Sequence, residues 1–151
     1  MSADSETTVL GYLGADHDRL DGLLVDISAH LRAREMTEAT RVLEAFASGL
    51  RRHIRLEDEV LFPIFERVTG MERGPTTVMR MEHRTIELHL DQMVAALAQS
   101  DVGAFLAEKM AMLAVLGDHN LKEEAIIYPQ TDAGLSADEQ RRLVADLRGF
   151  R

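Results

Sequence analysis

The segment His53-Ile54-Arg55-Leu56-Glu57-Asp58-Glu59-Val60-Leu61-Phe62-Pro63 returns 66 residues later as His119-Asn120-Leu121-Lys122-Glu123-Glu124-Ala125-Ile126-Ile127-Tyr128-Pro129. Histidine matches histidine, glutamate matches glutamate, and proline matches proline. The same offset carries His17 onto His83 and Asp21 onto Glu87. Helix periodicity alone does not put histidines at matched places in two halves of a chain. The repeat therefore predicts two similar helical hairpins packed with approximate two-fold symmetry.

The spacing around these residues is helical, with apolar side chains recurring every three or four positions. One stripe runs Leu10, Leu13, His17, Leu20, Leu24, Ile27, Leu31. A second runs Val42, Phe46, Gly49, His53, Leu56, Val60, Ile64, and a third Met79, His83, Ile86, Leu90, Met93, Leu97. The fourth includes Met112, Leu116, His119, Glu123 and Ile126. No stretch alternates as a strand would. Thr37 is placed as the N-cap of the second helix. Thr69-Gly70 and Gly74-Pro75 bound the central connection, and Ser100-Asp101 separates the third and fourth helices. Pro129 to Gly134 is expected to break the chain again. Ser136 with Glu139 forms a capping box for a short last helix. The expected fold is all-α: an up-down-up-down four-helix bundle over about residues 7–130, with a short C-terminal helix over about 136–149. The 151 residues suit one domain, 1–151.

Composition narrows the chemistry. The chain has no cysteine, which excludes disulfides, thiolate metal sites and cysteine nucleophiles. A net charge of -9 argues against nucleic acid or an anionic membrane as partner. Neither a secretory signal nor a run long enough to span a bilayer is visible, so the expected location is cytoplasmic.

Residues four apart share one face of a helix. His53 with Glu57, and His119 with Glu123, can each point at one centre, and His17 and His83 come from the other two helices. Six residues then supply neutral nitrogens and carboxylate oxygens. The simplest arrangement gives each of two metals two histidines, with both glutamates bridging. An oxo, hydroxo or water bridge would leave one position open on each metal. This donor set suits iron, with manganese the lesser candidate. Glu87, four residues after His83, is a seventh candidate ligand, and Asp21 a weaker one. Tyr12 is read as packing, with phenolate ligation the minor alternative. His30 and His89 lie off the seam. Asp58, Glu59 and Glu124 are read as a solvated face, and Phe62 and Tyr128 as closing the bundle end.

With these residues in place, the chain resembles the hemerythrin-like, or HHE cation-binding, family over roughly residues 7–130. The resemblance rests on His17, His53-x-x-x-Glu57, His83 and His119-x-x-x-Glu123, together with Leu61-Phe62-Pro63 and Tyr128-Pro129. It implies a non-haem di-iron centre that meets O2, peroxide or nitric oxide. Oxygen-carrying hemerythrins have HxxxH on the third helix, where this chain has His83-x-x-x-Glu87, and HxxxxD on the fourth, where it has HxxxE. The site is therefore closer to bacterial hemerythrin-like proteins and to the di-iron domain of iron-centre repair proteins. The readings that follow are binding of or reaction with a small oxidant, catalase-like or peroxidase-like turnover, and a non-catalytic iron or redox sensor or iron store. The expected partner is a small molecule, O2, H2O2 or NO, and a protein partner stays open.

Overall fold

The computed structural model describes residues 7–151. The described residues form helices and no strand. In chain order these are α1 (Val9–Arg32), α2 (Met36–Leu56), α3 (Phe62–Thr69), α4 (Pro75–Ala98), α5 (Val102–Lys122), α6 (Tyr128–Ala133) and α7 (Ala137–Arg148). A five-residue π-helical turn joins α2 to α3 (Glu57–Leu61), and another joins α5 to α6 (Glu123–Ile127). Each joined pair is one long rod. α1 packs on α2, α4 on α5, and α2 on α4. This arrangement is consistent with a four-helix bundle carrying α7 at one end.

The repeat reaches into the backbone. The starts of α1, α2 and the first π turn reappear 66 residues later as the starts of α4, α5 and the second. Even the tight links correspond: Arg34 (φ 61°) and Ser100 (φ 55°) both turn the chain in the left-handed region. Because Arg34 turns so sharply, α2 starts at Met36 with Glu35 as its cap. Thr37 thus lies inside the first turn and is not the N-cap. Asp101 does cap α5, accepting from the Ala104 amide. Gly70 ends α3 at φ 73°, a conformation that favours glycine. Ser136 and Glu139 form the expected reciprocal capping box of α7.

The expected break comes at Gly134 and not at Pro129, since α6 runs through the proline to Ala133. Proline has no N–H, and in a regular helix its ring meets the carbonyl four residues back. Here the turn before each proline is widened instead. The Phe62 amide reaches the Glu57 carbonyl, and the Tyr128 amide reaches that of Glu123.

The extra residue in each π turn rotates everything after it. Leu61, Phe62 and Phe65 are buried where a regular helix would have buried Val60 and Ile64. Ile127 and Tyr128 are likewise buried, and Ile126 is exposed. At the start of α1, Val9 is buried and Leu10 is exposed.

Two apolar clusters result. One holds Leu20, Ile27, Phe46, Leu50, Leu90 and Met112. The other holds Leu13, Leu61, Phe62, Phe65, Ile127 and Tyr128, and is completed by Leu143 and Leu147 of α7. Each fully buried large side chain contributes about 1.5–3 kcal/mol. Arg52 fixes the end of α7 by donating to the carbonyls of Leu147, Arg148 and Phe150. A cation there also suits the negative end of the helix dipole. No helix among the described residues is long and apolar enough to cross a membrane.

Candidate metal centre

A polar layer lies between the two clusters. His17 comes from α1, His53 from α2, His83 from α4 and His119 from α5, and Glu57 and Glu123 each open a π turn. All six are buried. They form two overlapping groups, His17-His53-Glu57-Glu123 and Glu57-His83-His119-Glu123. Within each group the ligand atoms lie within 4.8 Å of one another.

Both glutamates divide their oxygens between the groups. Glu57 Oε2 is 3.3 Å from His53 Nε2, while its Oε1 is 3.1 Å from His83 Nε2. Glu123 Oε1 is 3.2 Å from His17 Nε2, while its Oε2 is 3.2 Å from His119 Nε2. Two cations about one carboxylate apart would each meet two imidazoles and one oxygen from each glutamate.

The far side of every ring is held by a carboxylate. Asp16 meets His53 Nδ1 at 2.7 Å, and Glu82 meets His119 Nδ1 at 3.0 Å. Asp58 meets His83 Nδ1 at 2.7 Å, and Glu124 meets His17 Nδ1 at 2.7 Å. These partners also obey the repeat, Asp16 with Glu82 and Asp58 with Glu124. An ionised carboxylate only accepts, so each Nδ1 carries a proton, and a ring that yields its second proton to an incoming cation turns the Nε2 lone pair inward. Asp58 and Glu124 are therefore not merely a solvated face. Their geometry makes them orienters of the rings. Glu59 does lie in solvent, beside Arg55. Asp16 and Glu82 escaped sequence reasoning, although an acid directly before His17 and before His83 was the visible signal.

Tyr128 does more than close the bundle end. Its phenol oxygen lies among the ligands, donating to Glu57 Oε2 at 2.5 Å and standing 2.9 Å from Glu123 Oε1. Its counterpart in the repeat, Phe62, stacks on His83 with ring centres 5.5 Å apart. Tyr12 packs beneath Arg148, 5.3 Å from its guanidinium, and is not at the centre.

Glu87 stands outside both groups, in an ion pair with Arg84 at 2.8 Å. Asp21 is not among the grouped ligands but lines the adjoining cavity. His30 and His89 pair with Glu35 and Glu108 away from the site.

The electrostatics describe a cation-hungry core. Burial alone would push His53 down, but the charge of Glu57 and the Asp16 hydrogen bond outweigh it and hold it at about 10. Burial is likewise overcome at His83, which Asp58 and Glu57 raise to about 9. Burial favours neutral Glu57, yet the facing His53 charge holds its carboxyl well below the usual range. Glu123 Oε2 is buried without a hydrogen-bond partner, which is costly unless a cation faces it. The orphaned oxygen, the inward-facing Nε2 atoms and the shared carboxylates all fit a metal pair. Glu57 and Glu123 would be shared, His17 and His53 would hold one ion, and His83 and His119 the other.

One side of the centre opens on a cavity of about 10 Å³ walled by Leu20, Phe46, Leu50, Ile54, Ile86 and Leu116. That is room for about one water-sized molecule.

A family model described as hemerythrin HHE cation binding domain matches residues 8–131. No curated protein and no solved structure gave a significant match.

Proposed function

Because the chain belongs to the hemerythrin HHE cation-binding domain family, we propose that it is an up-down-up-down bundle holding two non-haem irons and that it binds or reacts with O2 or a related small oxidant such as peroxide or nitric oxide. The observation that carries this reading is the pair of glutamates shared between two groups of histidines, beside a small apolar cavity. Iron, when bound, supplies open coordination positions and exchangeable electrons.

The chain's own residues supply the rest. Four carboxylates fix the imidazoles so that no ring need rotate to present its nitrogen. The apolar wall leaves room for about one water-sized molecule. Such an apolar wall strengthens every electrostatic interaction at the centre. The scale of the cavity argues for a small oxidant over an organic substrate.

The test is metal analysis of protein produced with iron, combined with optical spectra before and after O2 and peroxide. About two irons per chain and an oxidant-dependent spectrum are expected. A protein without metal, whose stability is untouched by His53→Ala with His119→Ala, would end the reading. Sustained gas evolution from peroxide above that of free iron would move the assignment to a catalase-like enzyme.

A further inference from the structure

The two halves of the centre are unequal because Tyr128 faces one of them and Phe62 the other. The Tyr128 oxygen stands 2.5 Å from Glu57 Oε2, 2.9 Å from Glu123 Oε1, 3.2 Å from His17 Nε2 and 3.4 Å from His53 Nε2. Those four atoms are the donor set of the first group. Metal–ligand bonds of about 2.1 Å at right angles put neighbouring ligand atoms about 3 Å apart. The phenol oxygen thus has the spacing of a fifth vertex around the same point.

A hydrogen bond alone accounts for the arrangement poorly. A phenol has one proton, and it can serve only one acceptor well. Glu57 Oε2 takes it. Glu123 Oε1 would then confront the oxygen's lone pairs, and the two inward nitrogens would do so as well once their rings are neutral. A cation among the five atoms removes that conflict. At the second group the corresponding ring is Phe62, which has no oxygen to offer.

We propose that the Tyr128 phenol oxygen is a fifth protein donor to the metal held by His17 and His53, leaving the His83–His119 position as the more open of the two. The inference rests on the metal-centre reading above. Ligation replaces the phenol O–H bond by an oxygen–metal bond, and the proton departs to solvent. No electron is exchanged in that step.

The experiment uses the full chain loaded with iron and oxidised in air, with iron content measured alongside visible absorption and resonance Raman spectra. A phenolate-to-iron charge-transfer band with tyrosine ring modes is expected. Tyr128→Phe should lose both while retaining iron, and Tyr12→Phe should keep both. The chain has two tyrosines, so in Tyr12→Phe any phenolate mode belongs to Tyr128. That variant decides the matter even if Tyr128→Phe fails to fold or load. Iron bound to Tyr12→Phe without phenolate modes overturns the proposal and leaves the metal centre standing. Absence of iron from the wild-type chain overturns both.

Discussion

Asp58 holds His83 from behind: its Oδ1 lies 2.7 Å from the ring's Nδ1, while its Oδ2 accepts from Arg84 at 2.7 Å. The carboxylate is thereby fixed on both oxygens, and the ring with it. Asp58→Asn removes the negative charge and leaves a weaker, neutral acceptor behind the ring. Losing such an outer partner costs roughly 10–100-fold in metal affinity. We expect that loss in a chelator competition, with the helical circular dichroism unchanged. An affinity equal to wild type would show that the ring is held by packing alone.

The buried charges give the metal-free chain a defined pH response. His53 at about 10 and His83 at about 9 lie above their ordinary 6.5. A raised value adds stability that is fully present below the unfolded value and is lost as pH rises through the folded one. Glu57 works in the opposite sense: its lowered value adds stability above 4.5 that is lost as pH falls. The melting temperature of metal-free protein should therefore peak between about 4.5 and 6.5 and fall steadily toward pH 10. Metal competes with the same protons, so its affinity should rise over that alkaline range and binding should release protons. Calorimetry in buffers of different ionisation enthalpy measures the release. A melting temperature that climbs from pH 7 to 10 in the metal-free protein would contradict the assignment.

The six clustered residues were legible in the sequence for a specific reason. His53 with Glu57, and His119 with Glu123, lie one helical turn apart, and the repeat excluded coincidence. Asp16 and Glu82 were not legible as ring partners because they reach across to His53 and His119 on other helices. Helical spacing reports one helix at a time. Tyr128 was hidden by the π turn. Nine residues at about 100° each set it about half a turn from His119 on a regular helix. The inserted residue brings it back to the centre. The same rotation explains why Leu61 and Phe65 took the core places expected of Val60 and Ile64. Glu87 shares a helix with His83 and sits at the right interval, but Arg84 lies three residues before it and pairs with it.

Asp132 ties the two ends of the repeat together. Its carboxylate accepts from the amides of Val9 at 2.8 Å and Leu10 at 3.0 Å, at the start of α1. Those amides have no partner within the helix, and the negative charge meets the positive end of the helix dipole. Asp132→Ala should cost about 1–2 kcal/mol of stability, as loss of a helix cap does. Denaturant titration checks the magnitude. Iron content should be unchanged, because Asp132 does not touch the ligands. A loss of iron instead would mean that the start of α1 sets the position of His17.

Pro129 poses a question of cause: does the proline hold the π turn, or does packing? Replacing it with alanine restores an N–H and removes the ring that a regular helix cannot accommodate. Straightening would gain one backbone hydrogen bond, worth about 0.5–1.5 kcal/mol net. It would also swing Ile127 and Tyr128, both fully buried, away from their sites. Each of those burials is worth about 1.5–3 kcal/mol, and the phenol would leave Glu57. Packing therefore outweighs the recovered bond. Pro129→Ala should keep the widened turn, with iron content and visible spectrum equal to wild type and a stability change within about 1 kcal/mol. Backbone chemical shifts over residues 123–128, compared with wild type, report the turn directly. If the variant loses iron while remaining helical, the proline itself enforces the register that delivers Glu123 and Tyr128 to the centre.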